Sequence, residues 1–376
     1  MIATNETLSK TPPTRRRRKG LLANPHDIHC VVFHLGVLAS YALAFWLWLH
    51  PQASGLDSTP DRVAFVLAAG LLLGWISGID VGVNFHNHTH RRIFTKPWLN
   101  RWFGRLWTFS GGWPSYYWNH AHVVVHHANL LRDPDWTLPK RKPDGSFESI
   151  YSYILLHWPW RYAVHLWQDF RSGRAGRRAG KRAVKEGLLF LALWSIPFWI
   201  DPVMGLVLWL WPQWVGNAIT MGSGMYVQHA GGRAKTKEAP VSHSNTFLSR
   251  FFNLTMFNIG YHIEHHDHPH VHWSELPLFH ERTKSSLIEG GGHVVPYGYY
   301  QAASLCSRPP KPTEGVQRFV RAQAPGYERQ VVVTPARRPS PAPEHASHAH
   351  GSRPQEAHAV PGAPSPAATE RPAVEN

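Results

Sequence analysis

The sequence predicts an all-α membrane protein with four transmembrane helices in two hairpins and a cytoplasmic helical cap that holds a histidine-rich di-metal site. Three observations predict it. Four apolar segments, at 28–49, 63–79, 184–200 and 203–221, approach or exceed the length that a bilayer core demands. Arginine and lysine gather on one flank of these segments, at Arg15 to Lys19, at Arg91, Arg92 and Lys96, and through 171–185, which marks that flank as cytoplasmic. Three short histidine sets stand on the same flank: His86-x-x-x-His90, His122-x-x-x-His126-His127 and His262-x-x-His265-His266.

Composition narrows the class. The 376 residues carry a net charge of +15, which by itself suits nucleic acid or an anionic membrane surface. The apolar runs decide for the membrane, and no nucleic-acid partner is expected. Cys30 and Cys306 are the only cysteines, too few for an iron–sulfur cluster or a paired-cysteine zinc site. No cleavage site follows the polar, basic N-terminus, so no signal peptide is expected. The expected organisation is a disordered basic tail over 1–24, a membrane domain with its cap over 25–305, and a disordered tail rich in Pro, Ala and His over 306–376. The last includes His345, His348 and His350.

Taken in order, 28–49 is the first span, with His29 and His34 as packing or interfacial residues. Residues 51–61 form the loop on the far side. The second span, 63–79, has no breaker before Asp80 and continues to His86, which brings the first histidine pair to its cytoplasmic end. Residues 98–113 are amphipathic and too charged to span, hence an interfacial helix. Residues 151–170 are aromatic and expected to break at Pro159 and lie at the interface, while 171–185 reads as a solvated basic loop. The second hairpin turns at Asp201-Pro202 and returns the chain to the side of the other histidines. All three sets then share one face of the membrane.

The spacing carries the chemistry. On a helix, positions i, i+3 and i+4 share one face, so His262, His265 and His266 can converge. Imidazole is the commonest metal ligand and suits Fe, Zn, Cu and Ni. Eight imidazoles exceed the coordination of one metal, so two metals are expected. The absence of cysteine from the sets favours iron over thiolate-loving metals, with zinc the alternative. The His-Glu-x-x-His signature of zinc proteases is absent. Ligating imidazoles need their outer N–H held by a carboxylate or carbonyl, and Asp80, Asp133, Asp135, Glu264 and Asp267 are the nearby carboxylates. Trp113, Tyr116, Tyr117, Trp118 and Tyr261 flank the sets and are the expected walls of an apolar substrate tunnel.

These sets resemble the three histidine boxes of the membrane fatty acid desaturase family. The stretch 258–269, NIGYHIEHHDHP, followed by Leu276-Pro277, looks most like the third box of its sphingolipid and acyl-lipid branches. The resemblance covers about 28–285. It implies two non-haem iron ions, O2 as co-substrate, and insertion of a double bond into a long-chain acyl or sphingoid lipid. It also implies electrons from a ferredoxin-like or cytochrome b5-like donor. The family uses a ninth histidine before the third box, matched here by His229. Met225 stands where the acyl-CoA branch has an asparagine that holds a metal-bound water. No His-Pro-Gly-Gly motif occurs, so no fused cytochrome b5 domain is expected. Di-iron lipid hydroxylases and carotenoid ketolases share the boxes and are the alternative, with a non-enzymatic metal-binding membrane protein a distant third. His88, His120, His268, His270 and His272 lie beside the boxes but outside the pattern, as outer-sphere or surface residues.

Overall fold

A computed structural model describes residues 20–305, apart from 141, 144–146 and 173–175. Residues 1–19 and 306–376, with Cys306, His345, His348 and His350, lie outside the described residues. The chain is mostly helical. Helix α1 (Asp27–Leu49) is apolar throughout. Helix α2 (Thr59–His90) starts where the Ser58 hydroxyl caps the Asp61 amide and Pro60 fixes the first turn. At 32 residues it is about 48 Å long at the usual helical rise, more than a hydrocarbon core needs. The surplus carries His86 and His90 beyond the apolar stretch. Within it, Asp80–Phe85 is π-helical.

Helix α3 (Pro97–Phe109) is amphipathic as expected. It buries Asn100, Gly104, Trp107 and Thr108 and exposes Trp98, Trp102 and Leu106. Helix α4 comprises Ser115–Asn119 and its π-helical extension His120–His127. Helix α5 is continuous from Ile150–Ser152 through Tyr153–His157 into Trp158–Arg171. Helix α6 is Gly176–Ile200, and α7 runs unbroken over 202–229 with π-helical stretches at Gly205–Leu210 and Gly216–Gly222.

The C-terminal part is short-pieced. Strand β1 (Asn245–Phe247) pairs in parallel with β2 (His293–Val295). Between and after them lie α8 (Arg250–Thr255), α9 (His262–Asp267), α10 (Leu276–Glu289) and α11 (Tyr299–Leu305).

Among the described residues, α1, α2 and α6 are long and apolar enough to cross a membrane. Their outward faces carry Val32, Leu35, Leu43, Leu67, Leu71, Leu188 and Leu191, all exposed. Such a belt suits lipid and not water. Helix α7 packs against α2 at backbone distance. A Cβ on Gly74 would stand 2.7 Å from the Pro212 carbonyl oxygen, and one on Gly216 would stand 2.5 Å from that of Gly74. Small residues at such a crossing let two helix backbones touch.

Three expectations are corrected here. The predicted tail extends too far, because Ala23 donates to the Ile93 carbonyl and the Thr95 amide to that of Leu21, which ties this segment to the turn after α2. The helix does not break at Pro159. The π-helical turn before it changes the hydrogen-bond ladder where the missing proline N–H would interrupt an α-helix. The basic run is no loop from 176 onward but the first turns of α6. Lys and Arg are good helix formers, and Glu186 receives a two-pronged hydrogen bond from Arg105 of α3, at 2.7 and 2.9 Å.

Candidate metal centre

Four helix ends deliver nine imidazoles to one buried locus. His86 and His90 come one turn apart at the end of α2. His122, His126 and His127 come from the π-helical part of α4, and His229 is the last residue of α7. His262, His265 and His266 share the inner face of α9. The π-helical winding of α4 explains its unusual spacing. With i to i+5 bonding, the residues four and five positions on flank the face of the first, so His126 and His127 both return to His122.

The ring nitrogens are close. Nε2 of His86 is 2.7 Å from Nε2 of His265, and that of His122 is 2.9 Å from His90 and 3.1 Å from His127. Nε2 of His262 lies 3.0 Å from His266 and 3.3 Å from His229. Two groups result. In His86, His90, His122, His127 and His265 the inner nitrogens all lie within 4.8 Å of one another, and His126, His229 and His266 form the second group. His262 joins the second through its two close contacts.

Burial, and then the neighbouring imidazoles, push His122, His127, His262, His265 and His266 well below the usual histidine range. They are therefore neutral at pH 7, with lone pairs available. Buried imidazole nitrogens at this density suit a cation. His126 makes the point best. Its Nδ1 is held 3.1 Å from both Asp135 and Thr137, while its buried Nε2 has no hydrogen-bond partner among the described residues. His229 likewise has Nδ1 on the His243 carbonyl oxygen at 3.0 Å and Nε2 toward His262. An outer nitrogen fixed and an inner one free is the arrangement of a metal-ligating histidine. The donor set fits two borderline transition metals such as iron.

A family model described as fatty acid desaturase matches residues 62–299. The chain belongs to the fatty acid desaturase family. The matched region runs from α2 to the first residue of α11, so all nine histidines lie inside it. The chain is also similar to two beta-carotene ketolases. That of Paracoccus sp. (strain PC1) is 26% identical over 255 residues, covering 65% of this chain and 91% of the relative. That of Paracoccus sp. (strain N81106 / MBIC 01143) is 24% identical over 255 residues, covering 66% and 92%.

The carboxylates of this desaturase-family site divide sharply. Asp135 supports the cluster directly. It accepts from the amides of Leu131 and Thr137 and from the Thr137 hydroxyl, and it orients His126. Asp267 acts one step removed, bonding Lys235 and, at 3.2 Å, Nε2 of His243, whose backbone carbonyl holds His229. The other three do not touch the cluster. Asp80 is buried on the far side of α2, where it takes His34 Nδ1 at 2.7 Å and Trp107 Nε1 at 2.5 Å and so ties α1, α2 and α3 together. Glu264 is on the outer face of α9 and bonds His280 of α10 and Thr246 of β1. Asp133 is exposed. Asp135, Thr137 and His243 form the supporting layer. Thr137 and His243 carry no spacing signal, which is why the sequence does not disclose them.

An apolar cavity reaches the cluster at His86. Its wall includes Val83, Trp118, Met221, Met225, Phe252 and Ile259. Of the five aromatics expected there, only Trp118 lines it, and its ring is nearly parallel to that of His122. Trp113 bonds Asn217, Tyr116 and Tyr117 pack on Phe170, and Tyr261 faces His280. The periodicity explains the selection. Trp118 is four residues before His122, and Met225 is four before His229, so each shares the face of that histidine. Met225 thus presents a thioether where the acyl-CoA branch has its asparagine. Of the histidines outside the boxes, His88, His120 and His272 are buried, and His120 and His272 pair with Asp169 and Asp27. His268 and His270 are exposed.

Proposed function

We propose that the nine histidines hold two iron ions and that the protein carries out O2-dependent desaturation of a long-chain acyl or sphingoid lipid. The reading rests above all on one observation, the apolar cavity that reaches His86. Iron, when bound, supplies the reductive activation of O2 that an unactivated C–H bond requires and that side chains cannot provide. The chain's own residues do the rest. Val83, Trp118, Met225 and Ile259 exclude water and confine one stretch of hydrocarbon beside the histidines. Asp135 and the His243 carbonyl keep His126 and His229 in the orientation that turns their inner nitrogens to the cluster. The balance is one lipid, O2, two electrons and two protons giving an alkene and two waters. The electrons come from an external ferredoxin-like or cytochrome b5-like donor.

The same proposal includes the topology. Helices α1, α2, α6 and α7 cross the membrane as two hairpins, with the termini and all boxes cytoplasmic. The basic residues after α2 and at the start of α6 support it.

A second reading is carotenoid ketolation, favoured by the two ketolase relatives that align over about nine-tenths of their length. Expression in a host that supplies acyl lipids and β-carotene under 18O2 separates the readings. A new unsaturated lipid without label supports desaturation. A labelled keto or hydroxy product moves the protein to oxygenation. Iron in the purified protein with no O2-dependent product of either kind would overturn both.

A further inference from the structure

The cavity beside His86 is mostly apolar, and Gln228 and Tyr299 meet in its wall. Gln228 is 4% exposed and lines it. Its amide orientation is fixed by a chain of donors. The Tyr299 hydroxyl donates to the Ile259 carbonyl oxygen at 2.9 Å, so its own oxygen can only accept, and Gln228 Nε2 donates to it. The amide carbonyl oxygen of Gln228 is therefore the free end. It is buried and has no hydrogen-bond partner among the described residues. Two further polar atoms of the cavity wall, Trp118 Nε1 and Thr220 Oγ1, are buried without partners as well. A buried acceptor left unpaired costs free energy comparable to a lost hydrogen bond, and native proteins rarely leave one without reason.

We infer that Gln228 is a specificity-determining residue that selects lipids bearing a hydrogen-bond donor, a hydroxyl or an amide N–H, close to the carbon that is oxidised. The inference rests on the reading that the cavity receives the lipid substrate. A plain hydrocarbon entering it would leave the Gln228 carbonyl unpaired. A donor-bearing lipid satisfies that oxygen, and a site built around such a bond rejects the analogue that lacks it. The locked Tyr299 hydroxyl keeps the preference one-sided, because it prevents Gln228 from turning its N–H₂ toward an acceptor instead.

The test is binding of matched lipid pairs to the purified full-length protein in lipid nanodiscs. One pair is a long-chain alcohol and its methyl ether, and the other is a long-chain N-methyl amide and its N,N-dimethyl counterpart. Each pair differs by one donor. The wild type is expected to favour the donor-bearing member of at least one pair by on the order of tenfold to a hundredfold, and which pair responds tells hydroxyl from amide. Gln228→Met should abolish that preference while the bound-metal content stays as in wild type. Tyr299→Phe frees Gln228 to turn, and should reduce the preference without loss of binding even if Gln228→Met does not fold. Equal affinities within both pairs, or a preference that survives both substitutions, overturns the inference. Discrimination in binding without any O2-dependent product would leave it standing and overturn only the proposed reaction.

Discussion

Asp135 and Asp80 are both buried aspartates bonded to a histidine, yet their substitution should have different consequences. Asp135 fixes the outer nitrogen of His126, so Asp135→Ala should lower metal affinity by roughly 10- to 100-fold, read by metal competition on protein of unchanged helix content. Asp80 instead holds His34 and Trp107. Asp80→Ala leaves those groups unpaired inside the protein and should cost roughly 3–5 kcal/mol of stability, measured by unfolding in detergent. The direction of the imidazole shifts gives a pH prediction. The folded pKa values of His122, His127, His262, His265 and His266 lie below that of an unfolded histidine, about 6.5. On acidification the unfolded chain takes up protons first, so the stability of the metal-free protein is full above about pH 6.5 and falls as the pH drops below it. Thermal unfolding between pH 8 and pH 5 checks the sign. The histidines themselves were readable from the sequence, because spacing along a helix decides which side chains share a face. The carboxylates were not. Asp80 and Glu264 sit as near to a box in sequence as Asp135 does, but lie on the opposite faces of α2 and α9, and only the packing of neighbouring elements reveals what each touches.

The helices bring the histidines together by close packing, and the contact of α2 with α7 joins the two helices that end in His90 and His229. Gly74→Leu would drive a side chain into the Pro212 carbonyl and the Val215 side chain. The expected result is a loss of stability of at least about 1–3 kcal/mol together with loss of bound metal, while Gly36→Leu, at a position with open space around it, should change neither. Thermal unfolding and metal content of the two variants decide this. The apolar runs disclosed α1, α2 and α6 because length and hydropathy are local properties. The continuity of α5 across Pro159 was hidden, since the π-helical turn that accommodates the proline has no signature in composition. The basic residues of α6 misled for a related reason. Their charge fits a loop and a helix surface equally well, and the choice is made by the partners Glu186 finds on α3.

In the whole molecule, the sequence disclosed a helical membrane chain with its histidines gathered at one site, because charge asymmetry, hydropathy and box spacing point to the same arrangement. It could not disclose the unpaired acceptor in the cavity wall, since Gln228 has meaning only once Tyr299 and Ile259 are folded against it. The proposed sidedness rests on the basic flanks. Reporter insertions near His122 and His262 should both be cytoplasmic, and opposite sides would contradict the two-hairpin topology. Everything in the proposed function depends on the nine histidines binding metal together. The decisive measurement is therefore the metal content of the purified full-length chain and of its His265→Ala variant, taken with circular dichroism. Two iron ions per chain in the wild type, with loss of iron and unchanged helicity in the variant, is the predicted result. Full iron content in His265→Ala, or a wild-type chain that binds no iron under conditions where it is folded, would contradict it.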